Sequence, residues 1–198
     1  MGLRSCRAVF MRGGTSKAIV FREQDLPRER AARDALFLAA MGSPDPNGRQ
    51  LDGMGGGVSS LSKVCVVAPS NRADADVEFT FAQIVIDRPE VDYAGTCGNL
   101  SSAIGPYAVD EGMVPPPPDG EAVVRVFNTN TRKIFVARFL VRDGRSVAEG
   151  DLAIDGVAGT AAPVRLDFTD PADPPPASSC PPATPPMCWT SPAPVHCA

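Results

Sequence analysis

The chain has 198 residues, 43% of them hydrophobic and 21% charged, with a formal net charge of −4, a composition ordinary for a soluble globular protein. Its length suits one large domain or two small ones. The acidic balance excludes a basic footprint for nucleic acid, and no apolar run reaches the roughly 20 residues that a membrane-spanning helix needs.

In chain order, SCRAVFMRGGTSKAIVF (5–21) reads as two short strands about a turn at Arg12-Gly13-Gly14-Thr15-Ser16, because glycines punctuate β-rich runs. Upstream, Arg4, Arg7 and Arg12 are not followed by the apolar core of a signal peptide, so a cytoplasmic location is expected. A helix is predicted from Leu26 to Met41, with Pro27 near its start and Leu36, Leu38, Ala40 and Met41 giving apolar surface. Gly42 to Gly48 is a loop on turn chemistry alone. Gly53-Met54-Gly55-Gly56-Gly57 is a glycine-rich loop leading through Ser59-Ser60-Leu61-Ser62-Lys63 into a strand, Val64 to Val67. Val77 to Ile86 alternates as a second strand of a meander. Tyr93 to Asn99 is a turn opening a helix from about Leu100 to Glu111, which Gly112 and the prolines at 115–118 stop. Val123–Phe127 and Ile134–Val141 form a hairpin closed by Asn128-Thr129-Asn130-Thr131-Arg132-Lys133. Strands dominate, so the fold class is α+β.

The last 28 residues break from this composition. From Pro171 onward the chain holds ten of its 21 prolines, three of its six cysteines, its only tryptophan (Trp189) and its only histidine (His196). Proline has no backbone donor, so this density forbids a helix or a central strand. The expected organisation is a domain at 1–170 and a disordered Pro-rich tail at 171–198.

The body therefore lacks histidine. That excludes a Ser–His–Asp or Cys–His triad from this chain and removes the commonest general base and metal ligand. Cys6, Cys65 and Cys97 stand singly, without metal spacing, and read as reduced thiols. Chemistry must rest on Lys, Cys, Asp, Glu, Ser or backbone dipoles.

Cys97 lies in a glycine turn, GTCGN, directly before a helix. Unpaired N–H groups there suit a sulfur that works as an anion; the alternative is a small buried hydrophobe. Lys63, at a loop–strand junction, is either a partly shielded base or a solvated surface lysine. Gly53–Gly57 matches neither the nucleotide P-loop nor the dinucleotide fingerprint. It is read as a loop that lets backbone N–H groups approach a carboxylate. Arg12 with its two glycines and two hydroxyls suggests the same, since a guanidinium can grip a carboxylate bidentately; an ordinary β-turn is the competing reading. Asn128 and its neighbours could offer neutral donors to an anion, or simply form the turn.

Six segments together resemble the PrpF family, the 2-methylaconitate isomerase group with 4-oxalomesaconate tautomerases and methylitaconate isomerases as relatives. They are MRGGTSKAIVF (11–21), MGSPDP (41–46), QLDGMGGGVSSLSKVCVV (50–67), CGNLSSAIGPYAVDEGMV (97–114), VRVFNTNTRK (124–133) and IDGVAGTAAPVRLDF (154–168). The resemblance implies a diaminopimelate-epimerase-like fold, in which two similar domains, each a curved sheet wrapped on a helix, clasp a substrate. It implies Lys63 and Cys97 as the catalytic pair, with Thr15, Ser16, Ser62, Gly98 and Asn99 at the substrate carboxylates. The implied reaction moves a proton or double bond in a small unsaturated polycarboxylate, without a cofactor. The implied partner is that small molecule, not nucleic acid or membrane, and a homo-oligomer is compatible with it. Alternatives are an epimerase, which would need a second facing thiol, and an inactive or merely ligand-binding remnant.

The chain departs from the family pattern at Thr96, where Asn is usual, and at Ala18 and Arg132, where Gly is frequent. Family members are about twice as long. The codons of Met187-Cys188-Trp189-Thr190 read in a shifted frame give Val-Leu-Asp, which resembles the family's continuation. The expectation is a frameshift near Pro171–Pro175, a second domain largely missing, and little activity for the chain as written.

Overall fold

The structure, a computed structural model, describes residues 5–168 together with the backbone of Val195–Cys197. Ten strands form one mixed sheet: β1 (Val9–Gly13), β2 (Ser16–Arg22), β3 (Lys63–Pro69), β4 (Val77–Ile84), β5 (Val91–Asp92), β6 (Gly120–Asn128), β7 (Lys133–Arg142), β8 (Arg145–Ser146), β9 (Val164–Phe168) and β10 (Val195–Cys197). The main path runs β1-β2-β3-β4-β6-β7-β9-β10, with β5 on β4 and β8 on β7. Two helices join it, α1 (Arg30–Met41) and α2 (Gly98–Asp110).

Period-two alternation assigns each side chain to a face. Ala18, Val20, Cys65, Val67, Phe79, Phe81, Val124 and Val126 point to the face that packs on Leu100, Ile104, Tyr107 and Ala108 of α2. Their neighbours Ile19, Phe21, Val64, Val66, Ala82 and Ile84 point the other way, onto Phe37 and Met41 of α1, where the Phe21 and Phe37 rings stack at 5.5 Å. The crossovers β2-α1-β3 and β4-α2-β6 each join parallel strands. Because β3 and β4 are antiparallel, two crossovers of the same hand fall on opposite faces, as observed.

The sheet curls around α2. Laid flat, the six steps from β1 to β9 would span about 29 Å at roughly 4.8 Å each, whereas a helix with its side chains is only about 10–12 Å wide. Yet α2 touches β1, β2, β6, β7, β8 and β9. Its residues are buried on nearly every side, and Gly105 permits the closest approach: a Cβ there would lie 2.8 Å from both Ala137 Cβ and Phe139 Cε1.

The α+β class and most expected elements are present, with local differences. The first helix begins at Arg30 instead of Leu26. Leu26, extended at φ −98 and ψ 153, instead closes a 3-10 turn over Glu23–Asp25, as steric pressure from the following Pro27 requires. The hairpin strands β6 and β7 are longer than expected. Strands β5, β8 and β9 had not been anticipated. The expected tail at 171–198 lies outside the described residues apart from Val195–Cys197, whose backbone pairs antiparallel with β9 at the sheet's edge. No helix among the described residues is long and apolar enough to cross a membrane.

Candidate functional site

Strands β2 and β3 run parallel, so the residues that open them lie at one end of the sheet. Those residues are Ser16 and Lys63. By alternation both share the α2 face with Ala18 and Cys65. Helix α2 brings its N-terminus to the same place. Cys97, its N-cap residue, is half-buried and makes no side-chain cap. Its Sγ donates to Ser16 Oγ at 3.8 Å. The first backbone N–H groups of α2, from Gly98 onward, have no acceptor within the helix, and Gly98 has open space on its Cβ side.

The β1–β2 turn is clamped onto this helix end. A Cβ on Gly13 would sit 2.5 Å from the Asn99 carbonyl, and one on Gly14, at φ +49, would sit 2.8 Å from Asn99 Oδ1. Only glycine fits both demands of space and backbone angle. The Asn99 amide then donates to Thr15 Oγ1 at 2.9 Å, and Ser102 Oγ donates to the Asn99 carbonyl at 2.7 Å.

Lys63 is buried, 8% exposed, and its charge is not left alone. Nζ donates to Gln83 Oε1 at 2.6 Å and lies 5.0 Å from the Phe81 ring centroid, where the ring face attracts a cation. Beneath it, burial pushes the Cys65 thiol well up; Cys97 pushes it further and Lys63 opposes. The Lys63 amine and the Cys97 sulfur are thus both within electrostatic reach of one buried sulfur. Cys6 lies elsewhere, exposed, with its thiol directed at the Asp25 carbonyl. Among the described residues no second accessible thiol faces Cys97.

Asn128 enters through Thr96. Buried at the end of β6, it donates from Nδ2 to Thr96 Oγ1 at 2.6 Å, while its Oδ1 accepts the N–H groups of Asn130 and Thr131. Thr96, at a position marked in the sequence as a departure, therefore supplies the acceptor that ties the Cys97 turn to the sheet.

Two of the sequence-identified residues stand apart from this group. Arg12 pairs across the hairpin with Lys17, on the face opposite Ser16 and Met11, and its Nη1 donates to the Gly14 carbonyl at 2.8 Å. Ser62 is fully buried and points away from Lys63 by alternation. Its Oγ donates to the Ile84 carbonyl and accepts from Gln50 Nε2 at 2.7 Å. Arg12 shapes the turn, and Ser62 fastens the loop.

Sequence reasoning missed Gln50 and Gln83. Gln50 is 1% exposed. It donates to Ser43 Oγ as well as Ser62 Oγ and accepts the Gly57 N–H at 3.1 Å, pinning both ends of the glycine-rich loop. Asp45 holds the backbone here by accepting from Asn47, Arg49 and Gln50, bonds that lower its carboxyl below the usual range. Gln83 left one available signal: it is the polar exception on the apolar face that Phe79 and Phe81 continue.

The PrpF protein family model matches residues 4–181. The chain is 46% identical over 172 residues to 2-methyl-aconitate isomerase of Cupriavidus necator, covering 83% of this chain and 43% of that protein. It is 44% identical over 170 residues to 4-oxalomesaconate tautomerase of Pseudomonas putida, covering 86% and 46%. Among solved structures it is similar to methylitaconate-delta-isomerase, with a TM-score of 0.77 and 44% identity, covering 82% of this chain and 41% of that one. The chain spans less than half the length of the curated relatives it matches.

Proposed function

The chain belongs to the PrpF protein family, and from that premise we propose that it forms one lobe of a cofactor-independent isomerase that shifts a proton, and with it a double bond, in a small unsaturated polycarboxylate. Residues 1–170 would be the lobe. Lys63 and Cys97 are the proton-handling pair. Lys63, as the free amine, takes a proton from a carbon activated by a neighbouring carboxylate or carbonyl. The electron pair left behind spreads along the conjugated system. The Cys97 thiol gives a proton to the opposite end, and the two groups exchange their protons with solvent to reset. The developing negative charge is met by the open N–H groups of Gly98 and Asn99, donors already in place before the reaction begins. Thr15, Ser16 and Asn128, the last through Thr96, orient the carboxylates and the turn. Arg12 and Ser62 contribute by shaping the β1–β2 turn and the glycine-rich loop. As part of the same proposal the protein works in the cytoplasm on a soluble metabolite, singly or as a homo-oligomer.

One observation carries this reading. An amine and a thiol from distant parts of the chain share one face and one end of the sheet, beside a helix N-terminus, with the thiol directed at Ser16 Oγ. An epimerase would need a second thiol facing Cys97, which in that arrangement comes from the other domain; incorporation of deuterium with inversion at a stereocentre, instead of double-bond movement, would identify it. The test is a panel of methylaconitate, methylitaconate and oxalomesaconate followed by loss or gain of conjugated absorbance. Lys63→Ala and Cys97→Ser should each lower turnover by about 100-fold or more, the scale of a lost general acid or base. Turnover that survives both substitutions overturns the assignment.

A further inference from the structure

Gln83 is held on both sides of its amide. Nε2 donates to the Ser62 carbonyl at 2.8 Å and to the Ser59 carbonyl at 3.1 Å, while Oε1 accepts from Lys63 Nζ at 2.6 Å. The amide has one workable orientation. Turned over, it would set NH₂ against the lysine nitrogen and oxygen against two carbonyl oxygens, converting three attractive contacts into three repulsive ones. The residue is also directly opposite Lys63 in the β3–β4 ladder, so the backbone fixes its distance, and the two carbonyls it holds belong to the 3-10 turn Ser59–Leu61 and the residue after it.

From this geometry we propose that Gln83 is a positioning residue for Lys63. It binds one N–H direction of the amine with a neutral acceptor, beside the Phe81 ring, so the nitrogen is held in one place. A flexible lysine carries considerable side-chain entropy, which would otherwise be lost at each productive encounter. A neutral amide suits this task better than a carboxylate, which would hold the nitrogen as a paired ammonium. The same amide ties the segment below the glycine-rich loop to the lysine, so loop and amine move as one unit. The inference rests on the proposed role of Lys63 for its importance, but not for its test.

The chain has only three lysines, Lys17, Lys63 and Lys133, so ¹³Cε-labelled lysine gives three signals whose order parameters can be followed without any turnover. In the unsubstituted protein the Lys63 signal should be markedly more rigid than that of Lys17. Gln83→Met keeps the length but removes the acceptor, and should make Lys63 as mobile as Lys17 while Lys17 and Lys133 stay unchanged. The proposal is overturned if Lys63 in the unsubstituted chain is as mobile as Lys17, a result that needs no variant to fold. It is equally overturned if Gln83→Met, with an intact amide spectrum, leaves Lys63 as rigid as in the unsubstituted chain. An inactive Lys63→Ala protein, or an active one, bears on the isomerase reading alone, so the two ideas fail separately.

Discussion

Arg132 lies in the left-handed region at φ +58, in the turn between β6 and β7, with its N–H donating to the Asn128 carbonyl. A Cβ is strained there and glycine is not. Arg132→Gly relieves about 1–2 kcal/mol of left-handed strain against an entropic cost of about 0.5–1 kcal/mol for glycine, so it should stabilise the chain modestly, read as a higher urea midpoint at unchanged slope; a lower midpoint would show that the arginine side chain outweighs its backbone strain. The sequence marked this position as one where glycine is frequent, and the backbone supplies the reason. Cys65 was legible only as a single thiol, since its burial depends on α2 returning from a distant part of the chain. Its thiol is held well above its ordinary value by burial. The folded state therefore binds that proton more tightly than the unfolded chain, and the stability it contributes is present below about pH 8.5, the usual thiol value, and declines as pH rises above it. Cys65→Ala should flatten that alkaline decline in urea titrations. A decline of the same steepness in the variant would assign it to other groups.

At the scale of elements, the strands with clean alternation could be read from the sequence, and so could both helices, because glycine and proline mark their ends. Less legible were elements made by tertiary contact. β9 has only five residues, Val164–Phe168, after a loop-like stretch, and it is a strand because β7 offers it an unpaired edge. The Leu26 boundary moved because the conformational restriction before proline outweighed apolar periodicity. The site shows the same division. Lys63 and Cys97 stood out at junctions of loop with strand or helix, with an ordinary surface lysine and a small buried thiol as competing readings, and the family resemblance implied them together with Ser16 and Asn99. Gln50 and Gln83 could not, because a glutamine's partners lie across the sheet or under a loop. The packing of α2 gives the sharpest test at this scale. Gly105→Val adds atoms where even a Cβ would lie 2.8 Å from Ala137 and Phe139, and overpacking of this kind costs about 1–3 kcal/mol. The urea midpoint should fall accordingly, and the wild-type value in Gly105→Val would show that the sheet can open from the helix without cost.

For the molecule as a whole, the curled sheet does more than enclose a core. It places the starts of two parallel strands and the start of its central helix at one rim, and that convergence brings together the candidate site residues between Thr15 and Asn128. The rim is open: Thr15, Thr96 and Gly98 are exposed. On the proposed assignment Lys63 and Cys97 act at opposite ends of one bound polycarboxylate, and isotope exchange in D₂O separates the two roles. Cys97→Ser should still wash deuterium into the carbon that Lys63 deprotonates without forming the shifted isomer, whereas Lys63→Ala should do neither. Normal isomer formation with full deuterium uptake in either variant would contradict the assignment.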